Sequence, residues 1–122
     1  MQKAFLTDKL PAISDDYMRE SRATARSYMI AILKKGPGYD PPRSDAIIWE
    51  HGRRNYALRA AKLLSIVCPI PDTSELAGIC IFDTDADTVQ RIMAEDPAIK
   101  AGVLTFEVHP TFSFPGDCLP GQ

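Results

Sequence analysis

The chain has 122 residues, 45% of them hydrophobic and 25% charged, which fits one ordinary globular domain with one core and excludes a disordered or fibrous chain. A formal net charge of -2 gives no basic field for a phosphate backbone, so no nucleic-acid partner is expected. Three cysteines without close pairing point to free thiols rather than to a disulfide framework or a zinc site.

Residues 1–26 read as an N-terminal arm. Ser14-Asp15-Asp16 is a helix-capping pattern for a short polar helix running to about Arg26, with only Tyr17, Met18 and a few alanines to bury. No long apolar run occurs in the first thirty residues, so neither a secretory signal nor a membrane span is expected, and the cytoplasm is the default location.

The domain proper is expected over 27–122. Tyr28 to Leu33 is a continuous apolar run, the pattern of a strand buried on both faces, and Lys34-Lys35-Gly36-Pro37-Gly38 ends it. Pro41 and Pro42 keep the following loop out of a helix, after which Ser44 and Asp45 are suited to cap one. That helix is predicted to reach about Leu64, with Ile47, Ile48, His51, Leu58 and Ala61 on one inward stripe. Ser65 to Cys68 and Leu76 to Phe82 read as two short strands joined through Asp72-Thr73-Ser74. A second helix begins at Thr84 or Asp85, carries Ala86, Val89, Ile92 and Met93 inward, and stops at Asp96-Pro97. The last strand, Val103 to His109, alternates apolar and polar residues.

The resulting order is βαββαβ, the pattern of an α+β, ferredoxin-like sandwich. It has a four-stranded antiparallel sheet with both helices on one face. Strands one and three are apolar at nearly every position, so the other face needs a cover, which a homodimer stacking two sheet faces supplies, with the N-terminal arm, poor in apolar residues, as the competing cover.

His51 has two readings, a hydrogen-bonded core histidine or an acid/base whose cation a neighbouring carboxylate stabilises. Asp96 likewise reads either as the cap of the turn that Pro97 opens or as that carboxylate, and both roles can hold, because a capping carboxylate keeps a second oxygen. Tyr39 and Arg43 flank the expected entrance of a small-molecule pocket, and Ser65 can reach it. Cys68 and Cys80 read as small buried hydrophobes, and His109 as a surface or rim residue. Gly36-Pro37-Gly38 is a turn rather than a phosphate loop, because no helix follows it directly. No residues have metal-ligand spacing, and neither a metal nor another cofactor is expected.

From Tyr28 to Pro110 the chain resembles the YciI-like (YCII-related) family. The resemblance is carried by Ile32-Leu33-Lys34-Lys35-Gly36-Pro37, Glu50-His51, Lys62-Leu63-Leu64 with Pro69, and the run from Ile92 through Asp96-Pro97 to Gly102 that leads to Glu107-Val108-His109-Pro110. It implies dimeric α/β barrels of ferredoxin-like subunits, with an active-site dyad at the positions of His51 and Asp96. Two departures stand out. Ala61 replaces a glycine common in the family, and Val67-Cys68-Pro69 replaces Ala-Gly-Pro, which puts Cys68 where a small pocket-lining residue is usual. The implied function is a cofactor-free enzyme performing isomerisation, elimination or proton abstraction on a small cyclic or aromatic organic acid. The alternatives are a non-catalytic small-molecule-binding protein and a purely structural dimer.

Overall fold

The computed structural model describes residues 5–121. The chain divides into two compact units, one made of the residues up to Arg26 together with those from Ser113 onward, the other of Ser27–Phe112.

The first unit contains a 3-10 turn, Leu6–Lys9, and helix α1, Asp15–Arg22. The Ser14 hydroxyl accepts from the Tyr17 amide at 3.1 Å, the capping bond its position predicts. Asp16 pairs with Arg19 at 3.1 Å. The helix stops four residues short of the expected Arg26. Its end tightens through i→i−3 bonds from Thr24 to Ser21 and from Ala25 to Arg22, and Arg26 already begins a strand. No residue of α1 is buried.

The second unit carries β1 (Arg26–Lys35), α2 (Asp45–Ala60), β2 (Leu64–Pro69), β3 (Leu76–Phe82), α3 (Ala86–Ala94), α4 (Pro97–Lys100) and β4 (Leu104–Ser113). β1 and β4 each extend one residue past the unit's limits. The protein is therefore α+β, with one four-stranded antiparallel sheet in the order β2-β3-β1-β4. β4 runs on through Pro110, beyond its predicted end. It is an edge strand, where a residue without an N–H is tolerated.

Register separates the two faces of the sheet. Ala31 lies opposite Cys80, and Leu64 opposite Phe82; these four are buried and share one core with Leu33, Leu104, Val89, Ile92, Met93 and Ala98. Ile47, Ile48 and Leu58 of α2 pack against the same cluster, so α2, α3 and α4 lie on that face. The other face pairs Ile30 with Ile81, Ile32 with Ile79, Ile66 with Ile81 and Cys68 with Ile79. The expectation of strands buried on both faces is thus met on one, while these isoleucines are only half-buried.

Helix α2 ends at Ala60, four residues before the predicted limit, and leaves Ala61 exposed rather than on the core stripe. The cause is Lys62, the one non-glycine residue with positive φ (63°) among the described residues. The Leu63 amide donates to Leu58 O and the Lys62 amide to Arg59 O, a Schellman closure with lysine where glycine is usual. Lys62→Gly is therefore expected to stabilise the fold by roughly 0.5–1 kcal/mol, because relief of the left-handed penalty outweighs the added freedom of the unfolded chain. Urea unfolding checks it; an unchanged or lower midpoint refutes it. At the other end, Ser44 holds the cap position without capping. Its buried hydroxyl accepts from the Asp40 amide at 3.0 Å and so ties down the preceding loop.

Asp85 caps α3, accepting from the Thr88 amide at 2.8 Å, and Val89, Ile92 and Met93 are buried as expected, while Ala86 is exposed. The single turn of α4 is closed at both ends. Asp96 caps its start, and Gly102 (φ 71°) ends it with amide bonds from Gly102 to Ile99 O and from Val103 to Ala98 O. That turn abuts the exit of β1, where Gly36 N donates to Val103 O and Gly38 N to Gly102 O, both at 2.8 Å. A β-carbon on Gly36 would sit 2.5 Å from the Gly102 carbonyl oxygen, so the two glycines serve close backbone approach as well as the turn.

Candidate active site

His51 and Asp96 are 45 residues apart in sequence and meet in the structure, with imidazole Nδ1 2.8 Å from Asp96 Oδ2. Helix periodicity places His51 on the inward side of α2, and the Asp-Pro cap brings the carboxylate up from the start of α4. The other carboxylate oxygen, Oδ1, accepts from the Ala98 amide at 2.8 Å. Each oxygen of Asp96 thus makes one contact, Oδ1 the cap of α4 and Oδ2 the imidazole.

The Asp96 side chain is 1% exposed and that of His51 14%. Burial pushes the Asp96 carboxyl up. The His51 hydrogen bond and charge, the Ala98 N–H and the Arg54 guanidinium together outweigh burial and hold it below the ordinary aspartate value. An ionised carboxylate can only accept, so the Nδ1 hydrogen bond requires the ring proton on Nδ1. Nε2 of the neutral ring then presents a lone pair.

Two further residues of α2 complete the cluster. Asn55, one turn after His51, places its amide nitrogen 3.3 Å from Nε2. Arg54 donates to the Ile92 carbonyl at 2.7 Å and stands 3.8 Å from Asp96 Oδ2 and 3.9 Å from Glu95, so its charge partly balances both acids. Sequence reasoning singled out neither residue. For Asn55 a signal existed, since position i+4 from His51 shares its helix face. For Arg54 there was none, because its partners come from α3 and the turn that follows.

Tyr39 lies in the loop after β1, with the Lys35 ammonium 5.5 Å from its ring centre. Arg43 is exposed, 3.9 Å from Asp40. Ser65 is exposed at the irregularity in β2 between Leu64 and Ile66. Cys68, expected to be buried, is exposed, because it pairs with Ile79 on the sheet face away from the helices. Cys80 is the buried thiol, pushed up to about 12 by burial and by the charges of Cys68 and Asp96, and so is inert at neutral pH. His109 is half-exposed and pairs with Glu107 at 3.1 Å, which in turn meets Lys34 at 3.4 Å.

Among the described residues, no group of three or more histidine, cysteine, aspartate or glutamate side chains gathers as a metal site would require. None of the helices formed by those residues is long and apolar enough to cross a membrane. A scan against protein-family models and a search of curated proteins both find no match to this chain.

Proposed function

We propose that the chain is a YciI-like protein of ferredoxin-like fold that uses His51 as a general acid/base, oriented by Asp96, on a small cyclic or aromatic organic acid, without a cofactor. The observation that carries this reading is the 2.8 Å contact between His51 Nδ1 and a carboxylate that is itself buried and capped. A partner of that kind fixes the tautomer, stabilises the cation formed when Nε2 takes a proton, and costs no reorganisation as it does so. Isomerisation, elimination and proton abstraction next to a carbonyl each need only one such shuttle. In this reading Tyr39, Arg43 and Ser65 supply aromatic, cationic and hydroxyl contacts to the ligand.

The strand order β2-β3-β1-β4, with the helices on one face, supports the ferredoxin-like assignment. The face built from Ile30, Ile32, Ile66, Ile79 and Ile81 supports a homodimer in the manner of an α/β barrel, because two copies stacking these faces bury a continuous apolar surface. Cys68 then lies at the contact between copies. Ile32→Lys is expected to convert the dimer into a monomer that keeps its helical circular dichroism. Sedimentation that is the same for wild type and variant overturns this assembly.

The function is tested by incubating a panel of small cyclic and aromatic organic acids with the protein in D2O and following loss of their acidic C–H signals by proton NMR. Exchange that disappears in His51→Gln supports the shuttle. No exchange from any member, with the fold intact, returns the pair to a binding or structural role.

A further inference from the structure

The reading of His51 as a base leaves one contact without a task. The Asn55 carboxamide sits one helical turn from His51, with Nδ2 3.3 Å from Nε2, the nitrogen that must be free to accept a proton. With Nδ1 held by Asp96, the Nε2 lone pair can only accept, so Asn55 donates an N–H to it. A hydrogen bond of this length lies just beyond the usual range, is weak, and is readily exchanged for a better acceptor. The pair therefore offers a proton acceptor and a hydrogen-bond donor side by side on one helix face.

Resting on the proposed role of His51, the geometry points to Asn55 as the group that binds the carbonyl oxygen of the substrate, which makes the substrate an enolisable carbonyl compound. In such a compound the carbonyl oxygen and the α-carbon are about 2.4 Å apart. Two protein nitrogens 3.3 Å apart can thus address both atoms at once, Nδ2 the oxygen and Nε2 the hydrogen on the carbon. The α C–H bond breaks and its proton goes to Nε2. Its electron pair forms the C=C bond, and the carbonyl π pair moves onto oxygen. The enolate oxygen accepts the Asn55 N–H bond, which strengthens as the charge develops. The proton on Nε2 then returns to the same carbon or to a conjugated one, so the step balances without any co-reactant. Asp96 holds the imidazolium in the interval, and Arg54 keeps the cluster near neutrality.

The test uses cyclohexane-1,3-dione, a cyclic diketone that is an enolate at neutral pH and so carries the charge distribution of the intermediate. Binding to the 122-residue chain is followed by NMR through the Asn55 side-chain amide and the His51 ring signals, in wild type, Asn55→Leu and His51→Gln. The expected result is saturable binding to wild type that moves both sets of signals and weakens about tenfold or more in Asn55→Leu, the loss of one hydrogen bond to a charged oxygen. The ring proton stays on Nδ1 in that variant. Equal affinity in wild type and Asn55→Leu overturns the role of Asn55 and leaves the His51–Asp96 base intact. Absence of binding to wild type overturns the carbonyl class. A ring proton found on Nε2 in wild type sinks the reading of His51 as a base along with this one.

Discussion

Asp96→Asn is expected to leave the fold standing and remove the proposed base. The asparagine side-chain oxygen can keep the bond from the Ala98 amide, so the cap on α4 survives. The amide nitrogen then faces Nδ1 and can only donate to it, which drives the ring proton to Nε2. The lone pair that should take a proton is lost, and Asn55 turns its oxygen toward the new N–H. A misplaced proton of this kind costs on the order of 100- to 10,000-fold in rate, the share usually supplied by general base catalysis. Long-range 15N NMR of the ring checks it directly, and a proton that stays on Nδ1 in Asp96→Asn refutes it. Asp96→Ala differs, because it removes the cap and leaves a nearly buried imidazole N–H unpaired, a loss of roughly 2–4 kcal/mol.

The same carboxylate gives the wild type a pH signature. Its folded pKa lies below the unfolded value, so its stabilisation is complete above about pH 4 and is lost as the pH falls through the folded value. Asp96→Asn should be less stable than wild type at neutral pH yet show a shallower acid limb. Parallel acid limbs in the two proteins would contradict this account.

Gly36→Ala is expected to cost about 2–3 kcal/mol although it adds a single methyl group to a turn. That carbon would lie 2.5 Å from Gly102 O, 3.2 Å from Gly102 C and 3.3 Å from Val103 C, all backbone atoms that no side-chain rotation can move aside. Relief requires the end of β1 to part from the α4–β4 turn, which stretches the bond from Gly36 N to Val103 O. Gly52→Ala is the control. Nothing lies within 4 Å of its added carbon, and a helix-interior alanine should stabilise by up to about 1 kcal/mol. Denaturant unfolding of the pair should give shifts of opposite sign. A Gly36→Ala midpoint equal to that of wild type refutes the close approach.

Much of this was legible in the chain because its signals are local. Prolines and glycines mark the ends of β1, β2 and the start of β4, and the Asp85 and Asp96 caps were predictable from residue type and position. The inward turn of His51 followed from helical spacing. The errors lie where tertiary geometry decides. Lys62 ends α2 in a conformation that favours glycine, and no local propensity for lysine predicts that. The apolar neighbours of Cys68 predict burial, whereas register with Ile79 puts it on the face away from α2, α3 and α4. Arg54 was invisible because its contacts are to the Ile92 backbone and to acids far along the chain.

The two oxygens of Asp96 bind the chemistry of the site to the integrity of a single helical turn. One oxygen holds the Ala98 amide and the other the imidazole, so a molecule in which α4 frays has also released His51. Deuterium uptake at the Ala98 amide consequently doubles as a gauge of how much of the population carries an assembled dyad, readable without any substrate in hand.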